Sequence, residues 1–174
     1  FPLIDESKEK PMRECIGNAS LESDSIGGTI ECAVTGINGG CGDPMFDGVE
    51  SELAKIIFGV PAVKGLEFGA GFDISEMRGS KANDPFAYDE TGKIITLSNN
   101  NGGILGGITT GMPVIFRVAI KPTPSIGKEQ RTIDLQKKQN TTIKVSGRHD
   151  PCIVLRAVPV IENAALLAIA NIIL

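Results

Sequence analysis

Tryptophan is absent from this 174-residue chain, and tyrosine and histidine occur once each. A single histidine leaves little for a transition-metal site to use. A basic excess is missing too: 17 Lys and Arg stand against 21 Asp and Glu, for a net charge of −4. That balance excludes nucleic-acid binding driven by phosphate neutralisation. The cysteines at 15, 32, 41 and 152 form no CxxC pair and fit no zinc pattern. A chain of this size can build a core without disulfides, so reduced thiols in a cytoplasm are expected. No cationic, apolar leader opens the sequence. Its longest apolar stretch, residues 164–174, falls short of the ~20 residues a membrane span needs, so no membrane partner is expected. The chain starts at Phe1 without a methionine and stops at Leu174 inside an apolar helical pattern, so a fragment or a processed chain is expected.

Hydrophobic residues make up 41% and charged residues 22%, values of a globular domain, expected to be single over 1–174. The 21 glycines follow no collagen period and point to tight turns and close backbone approaches. Spacing predicts a helix near 12–22, with Pro11 weakening its start, and an amphipathic helix over 47–58 with Asp43 or Asp47 at its N-terminus. Strands are predicted at 29–35, 62–68 and 112–120, with short pairs at 86–88 and 94–98 and a hairpin from 132–135 and 141–145. Segment 72–98 reads as a long surface excursion, mobile without ligand. Asp150 and Pro151 suit the cap and first position of a final helix that Pro159 kinks or restarts. Only Glu162, Asn163 and Asn171 are polar between 160 and 174, so that helix is expected to be buried on nearly every side. Hairpin-length turns join most strands, which predicts an α+β fold with an antiparallel sheet packed on helices.

Three segments carry candidate chemistry. Lys121-Pro122-Thr123-Pro124-Ser125 places an ammonium and a hydroxyl on a stiffened loop, a pairing that suits a phosphate, with Lys128 nearby. A proline-stiffened connection with solvated lysines explains the same residues. The paired glycines of 99–107 let backbone touch a flat ring or an anion, and equally make a wide turn. They match neither GxxxxGK[ST] nor GxGxxG. Arg148-His149-Asp150 sets three ionisable groups before the last helix, where an anion would meet a guanidinium, or where Asp150 simply caps the helix.

Four segments taken together resemble chorismate synthase: 24–31 (DSIGGTIE), 42–72, 99–126 (NNNGGILGGITTGMPVIFRVAIKPTPSI) and 147–174 (GRHDPCIVLRAVPVIENAALLAIANIIL). The likeness runs in order from about residue 24 to the end and is similar to the C-terminal half of a family whose chains are roughly twice this long. It implies one half of a β-α-β sandwich, a homotetramer, and an FMN-dependent lyase. The family reaction converts 5-enolpyruvylshikimate 3-phosphate into chorismate by an anti 1,4-elimination of phosphate, with reduced FMN and no net redox change.

By the same resemblance, Lys121, Pro122, Thr123, Pro124 and Ser125 would hold FMN. Gly106 would line the flavin, Ala62 would lie beside it, and Arg148 would meet FMN or substrate anions. Asp150 would stand near the flavin N5 as the catalytic carboxylate. The family's two proposed histidine acids and its arginine-rich substrate cradle belong to the other half, and His149 is neither histidine. The fragment is therefore expected to be inactive alone; the alternative is a non-catalytic fragment that folds and oligomerises or binds FMN only. Leu155 and Asn163 depart from the family's usual Pro and Ala, and Asn163 would put an amide into a buried helix in need of a partner.

Overall fold

A computed structural model describes residues 1–174, which divide into two compact units. The first comprises 1–28 and 121–157, the second 29–120 and 158–174.

In the first unit, helix α1 spans Glu9–Leu21. Pro11 sits inside its first turn, where N–H groups have no intrahelical acceptor, so the helix begins earlier than the proline suggested. Farther along the chain an antiparallel hairpin is built from β8 (Gln130–Asp134) and β9 (Gln139–Ile143), in the register Gln130↔Ile143 to Asp134↔Gln139. Every residue of β9 is exposed.

The second unit holds a three-stranded sheet in the order β1 (Gly28–Val34), β7 (Val114–Ile120), β2 (Val63–Phe68), whose first residue, Gly28, belongs to the first unit. β2 runs antiparallel to β7, with Leu66 opposite Val118 and Phe68 opposite Phe116. Alternation along β7 buries Val114, Phe116, Val118 and Ile120 together on one face. Helix α2 (Val49–Ile57) contributes Val49, Leu53 and Ile57 to the same unit's core, at the spacing of one helical stripe. Its N-cap is Gly48 without a side-chain cap; neither Asp43 nor Asp47 caps it, and the two pair through their backbones just before it. A 3-10 helix (Gly71–Glu76) and the short helix α3 (Gly79–Ala82) precede two small hairpins: β3 (Phe86–Tyr88) with β4 (Ile94–Thr96), and β5 (Ile104–Leu105) with β6 (Ile108–Thr109).

Helix α4 (Val154–Ile173) departs from expectation in three ways. It starts four residues after Asp150, which instead accepts from the Cys152 N–H at 3.0 Å in a side-chain turn. It passes through Pro159 without a break. In the second unit it buries one face only, through Ile161, Ala164, Ala165, Ala168 and Ile169. Val160, Leu166, Leu167 and Ile173 stay 48%, 54%, 62% and 58% exposed. Asn163 is also exposed, and its amide donates to the Pro159 carbonyl at 2.7 Å, so it needs no partner outside its own helix.

Candidate functional site

The mixed helix and antiparallel-sheet architecture distributes the nominated residues over both units. Ala62 and Gly106 belong to the second, and Lys121 to Ser125, Arg148 and Asp150 to the first.

In the second unit the 99–103 loop is organised by a carboxylate that pattern reading missed. Asp84 is buried and accepts from Ser98 Oγ at 2.6 Å, Asn100 N–H at 2.8 Å, Asn101 N–H at 2.9 Å and the Asn101 side-chain amide at 2.8 Å. Burial pushes its pKa up, but these four donors outweigh burial and hold it below the ordinary carboxylate value. The surface excursion expected over 72–98 thus has a buried anchor. Asn83-Asp84-Pro85 looks like an ordinary turn, and only the three asparagines that follow hint at donors seeking an acceptor.

Two kinds of glycine follow. Gly102 and Gly103 have positive φ of 65° and 80°, and a Cβ on either would run into backbone, of Gly69 and Ile115 in one case and Pro113 in the other. These glycines serve packing. Gly106 and Gly107 form the two-residue β5–β6 turn with φ of 61° and 83°, as its right-handed strand twist favours. Gly106 is exposed and a Cβ there would meet nothing within 4 Å, so its outer face is free to receive a flat ring. Ala62, just before β2, adopts φ of 73°, a left-handed conformation that costs a residue with a Cβ about 1–2 kcal/mol. Ser23 and Lys138 share this left-handed region, at φ of 56° and 50°. A further clamp secures the 69–72 turn: Glu67 and Arg117, opposite one another on β2 and β7, pair at 2.9 Å, and Glu67 also accepts the Phe72 N–H at 3.1 Å.

In the first unit the chain leaves β7 into the Lys121–Ser125 loop. Lys121 is exposed and takes part in no ion pair. The Thr123 hydroxyl oxygen is buried and has no hydrogen-bond partner, the one side-chain polar atom of the chain in that condition. Buried hydroxyls are nearly always satisfied, and leaving one unpaired costs about 1–3 kcal/mol. Lys128, by contrast, is spoken for: its ammonium meets Asp24 at 2.7 Å and Glu22 at 3.2 Å. These hydrogen bonds raise the Lys128 pKa and lower that of Asp24, so Lys128 supplies no free charge to a ligand.

Arg148 is exposed and free of ion pairs. The Asp150 carboxylate is held by Arg156 and by the Cys152 N–H. His149 Nε2 lies 3.2 Å from the Val145 carbonyl; a carbonyl only accepts, so that nitrogen carries the proton and the ring is engaged structurally.

The first unit therefore offers an unpaired ammonium, an orphaned buried hydroxyl and an unpaired guanidinium. Each of these groups can pair with a phosphate oxygen or the polar edge of a ring system. The second offers an open glycine tip and a strained alanine. All four cysteines are free, and burial, then the nearby Glu162 charge, pushes the Cys32 thiol above its ordinary pKa, which disfavours the thiolate.

A family model described as chorismate synthase matches residues 1–174. The chain is 52% identical over 167 residues to a chorismate synthase of Dehalococcoides mccartyi, covering 96% of this chain and 46% of that protein. It is 51% identical over 166 residues to one from Methanosarcina barkeri, covering 95% of this chain and 45% of the relative. A chorismate synthase of Thermococcus kodakarensis is 46% identical over 167 residues, covering 96% and 47%. Among solved structures, a chorismate synthase crystal structure matches with a TM-score of 0.74 at 26% identity, over 95% of this chain and 42% of that one. The chain thus spans a little under half the length of the relatives it matches.

Proposed function

The chain belongs to the chorismate synthase family, and on that premise we propose that it forms the FMN-binding wall of a lyase that makes chorismate from 5-enolpyruvylshikimate 3-phosphate, as the C-terminal part of the fold. The observation that carries this reading is the Thr123 hydroxyl, buried and unpartnered in the middle of the loop that the family likeness nominates. A side-chain donor kept out of water and out of the protein's own hydrogen bonds is a ligand contact in waiting. The remaining residues fit the same ligand. Lys121 and Arg148 are cations without internal partners, suited to phosphate oxygens. Pro122, Pro124 and Ser125 complete a loop of low conformational freedom; Ala62 and Gly106, in the other unit, are assigned to the flavin by the family likeness, and Gly106 has open space beside it.

Reduced FMN, when bound, supplies the electron that a redox-neutral elimination borrows and returns. The chain's own residues bind and orient. Asp150, anchored by Arg156 and the Cys152 N–H, is a carboxylate of fixed direction suited to holding or moving a proton at the flavin edge.

The chain by itself does not turn over in this reading. Departure of a phosphate needs several cationic donors aimed at developing charge. With Lys128 consumed by Asp24 and Glu22, only Lys121 and Arg148 remain free in the two nominated segments. The exposed apolar face of α4 favours assembly with further chain or with other copies, as in a cytoplasmic homotetramer. The test is phosphate release from 5-enolpyruvylshikimate 3-phosphate by the purified chain with reduced FMN. None is expected; turnover by the chain alone would show that the two free cations suffice.

A further inference from the structure

The DSIGG segment carries part of the family likeness, yet none of its residues is among those assigned to the cofactor wall. Within the first unit it reaches both segments that are. Ser25 Oγ donates to the Thr123 carbonyl at 2.6 Å. The Gly127 N–H donates to the Ser23 carbonyl at 3.0 Å, and the Ile26 N–H donates to the Pro151 carbonyl at 2.8 Å. Asp24 and Glu22 hold Lys128 at the far end of the same loop. Sterics demand glycine on the loop side of one of these contacts. A Cβ on Gly127 would stand 2.9 Å from the Ser23 Cβ, closer than real Cβ atoms approach.

Neighbouring residues Ser25 and Ile26 therefore tie Thr123 to Pro151, the residue after Asp150. The hold on Thr123 is tight for a reason of backbone chemistry. Pro122 and Pro124 fix φ on either side, and Thr123, preceding a proline, is itself confined to extended conformations. Pinning its carbonyl then restrains the remaining backbone torsion and, with it, the direction of the Cα–Cβ bond.

We infer that the Ser23–Ile26 turn is the element that pre-sets the Lys121–Ser125 loop, with Ser25 as its positioning residue acting through the Thr123 carbonyl. The inference rests on the reading of that loop as part of the FMN wall. Ser25 itself touches no ligand in this role; its work is to remove the loop's freedom before the ligand arrives, which lowers the entropy cost of binding.

The experiment uses the 174-residue chain, with Ser25→Ala and Ser25→Thr checked for folding by circular dichroism. Amide hydrogen exchange is read without ligand, and FMN binding by flavin fluorescence quenching. Ser25→Ala is expected to speed exchange across 121–128 by about fivefold, the equivalent of one hydrogen bond, while 130–143 exchanges as in the wild type. Ser25→Thr, which keeps the hydroxyl, returns the rate to near that of the wild type. FMN binding weakens by a similar factor in Ser25→Ala only. Should Ser25→Ala not fold, Gly127→Ala crowds Ser23 at the neighbouring contact between the same turn and loop, and is expected to speed exchange across 121–128 likewise. Equal exchange in wild type and variant overturns the inference, as does global unfolding of both variants, which would make the turn a folding element. A wild type that binds no FMN defeats the cofactor reading instead, and the exchange rates still decide the role of Ser25.

Discussion

Asn101 grips Asp84 twice, with its backbone N–H 2.9 Å and its side-chain amide 2.8 Å from the same carboxylate oxygen. The other oxygen takes Ser98 and Asn100. Every acceptor direction faces a donor, so an amide in place of the carboxylate would point its own N–H₂ at donors. Asp84→Asn is expected to destabilise the chain by roughly 2–3 kcal/mol at neutral pH, read by urea unfolding.

The same group predicts a pH dependence. Its folded pKa lies below the unfolded value of about 3.9. Its contribution is therefore complete above that unfolded value and drains away as pH falls through the lower folded one. The gap in stability between wild type and Asp84→Asn should be constant from neutral pH down to about 4.5 and narrow below about 4. A gap unchanged in acid would mean that the carboxylate's charge contributes nothing.

Gly102 and Gly106 should separate folding from binding. Gly102→Ala drives a Cβ to 2.5 Å from the Gly69 nitrogen and 2.6 Å from the Ile115 carbonyl oxygen, at a φ that already resists a side chain. A loss of roughly 3 kcal/mol or more is expected. Gly106→Ala meets open space and bears only the cost of its φ, about 1–2 kcal/mol. It should fold, yet weaken FMN binding by occupying the ring's approach. Thermal melts and flavin titrations of the two variants decide the matter.

Ala62→Gly relieves a left-handed conformation and should stabilise the chain by about 1 kcal/mol. A rise in melting temperature with weaker FMN binding would fit a strained position kept for the ligand.

Apolar residues 48–62% exposed on the outer face of α4 should drive association. Sedimentation is expected to give a mass above the 18.3 kDa of one chain, and Leu167→Lys to shift it downward. An unchanged distribution would clear this face of any role in assembly.

Much of this molecule is legible in its sequence, and the misses share a cause. β7 and α2 announce themselves because alternation and helical stripes are local. Gly106-Gly107 and Lys121–Ser125 stand out because turn chemistry is local too. The hub at Asp84 and the pairing of Ser25 with Thr123, 98 residues apart, depend on which loops meet, and no local period encodes that. Helix α4 shows the limit of composition: an apolar surface reads alike whether its cover lies within the chain or elsewhere. Sequence alone predicts a kink or restart at Pro159, but the residue lies in the second turn, where it removes one hydrogen bond near an end and the remaining turns carry on.

The cofactor wall is tested most directly by titrating FMN into the purified, folded chain and repeating the titration with Thr123→Val and Lys121→Ala. Thr123→Val keeps the shape of the side chain and removes only the hydroxyl that lacks a partner. Micromolar binding that weakens about tenfold or more in both variants is predicted, as expected for losing a hydrogen bond or ion pair to a charged ligand. A folded chain that binds no FMN, or that binds it equally well without the Thr123 hydroxyl and the Lys121 ammonium, would contradict the assignment of this loop to the cofactor.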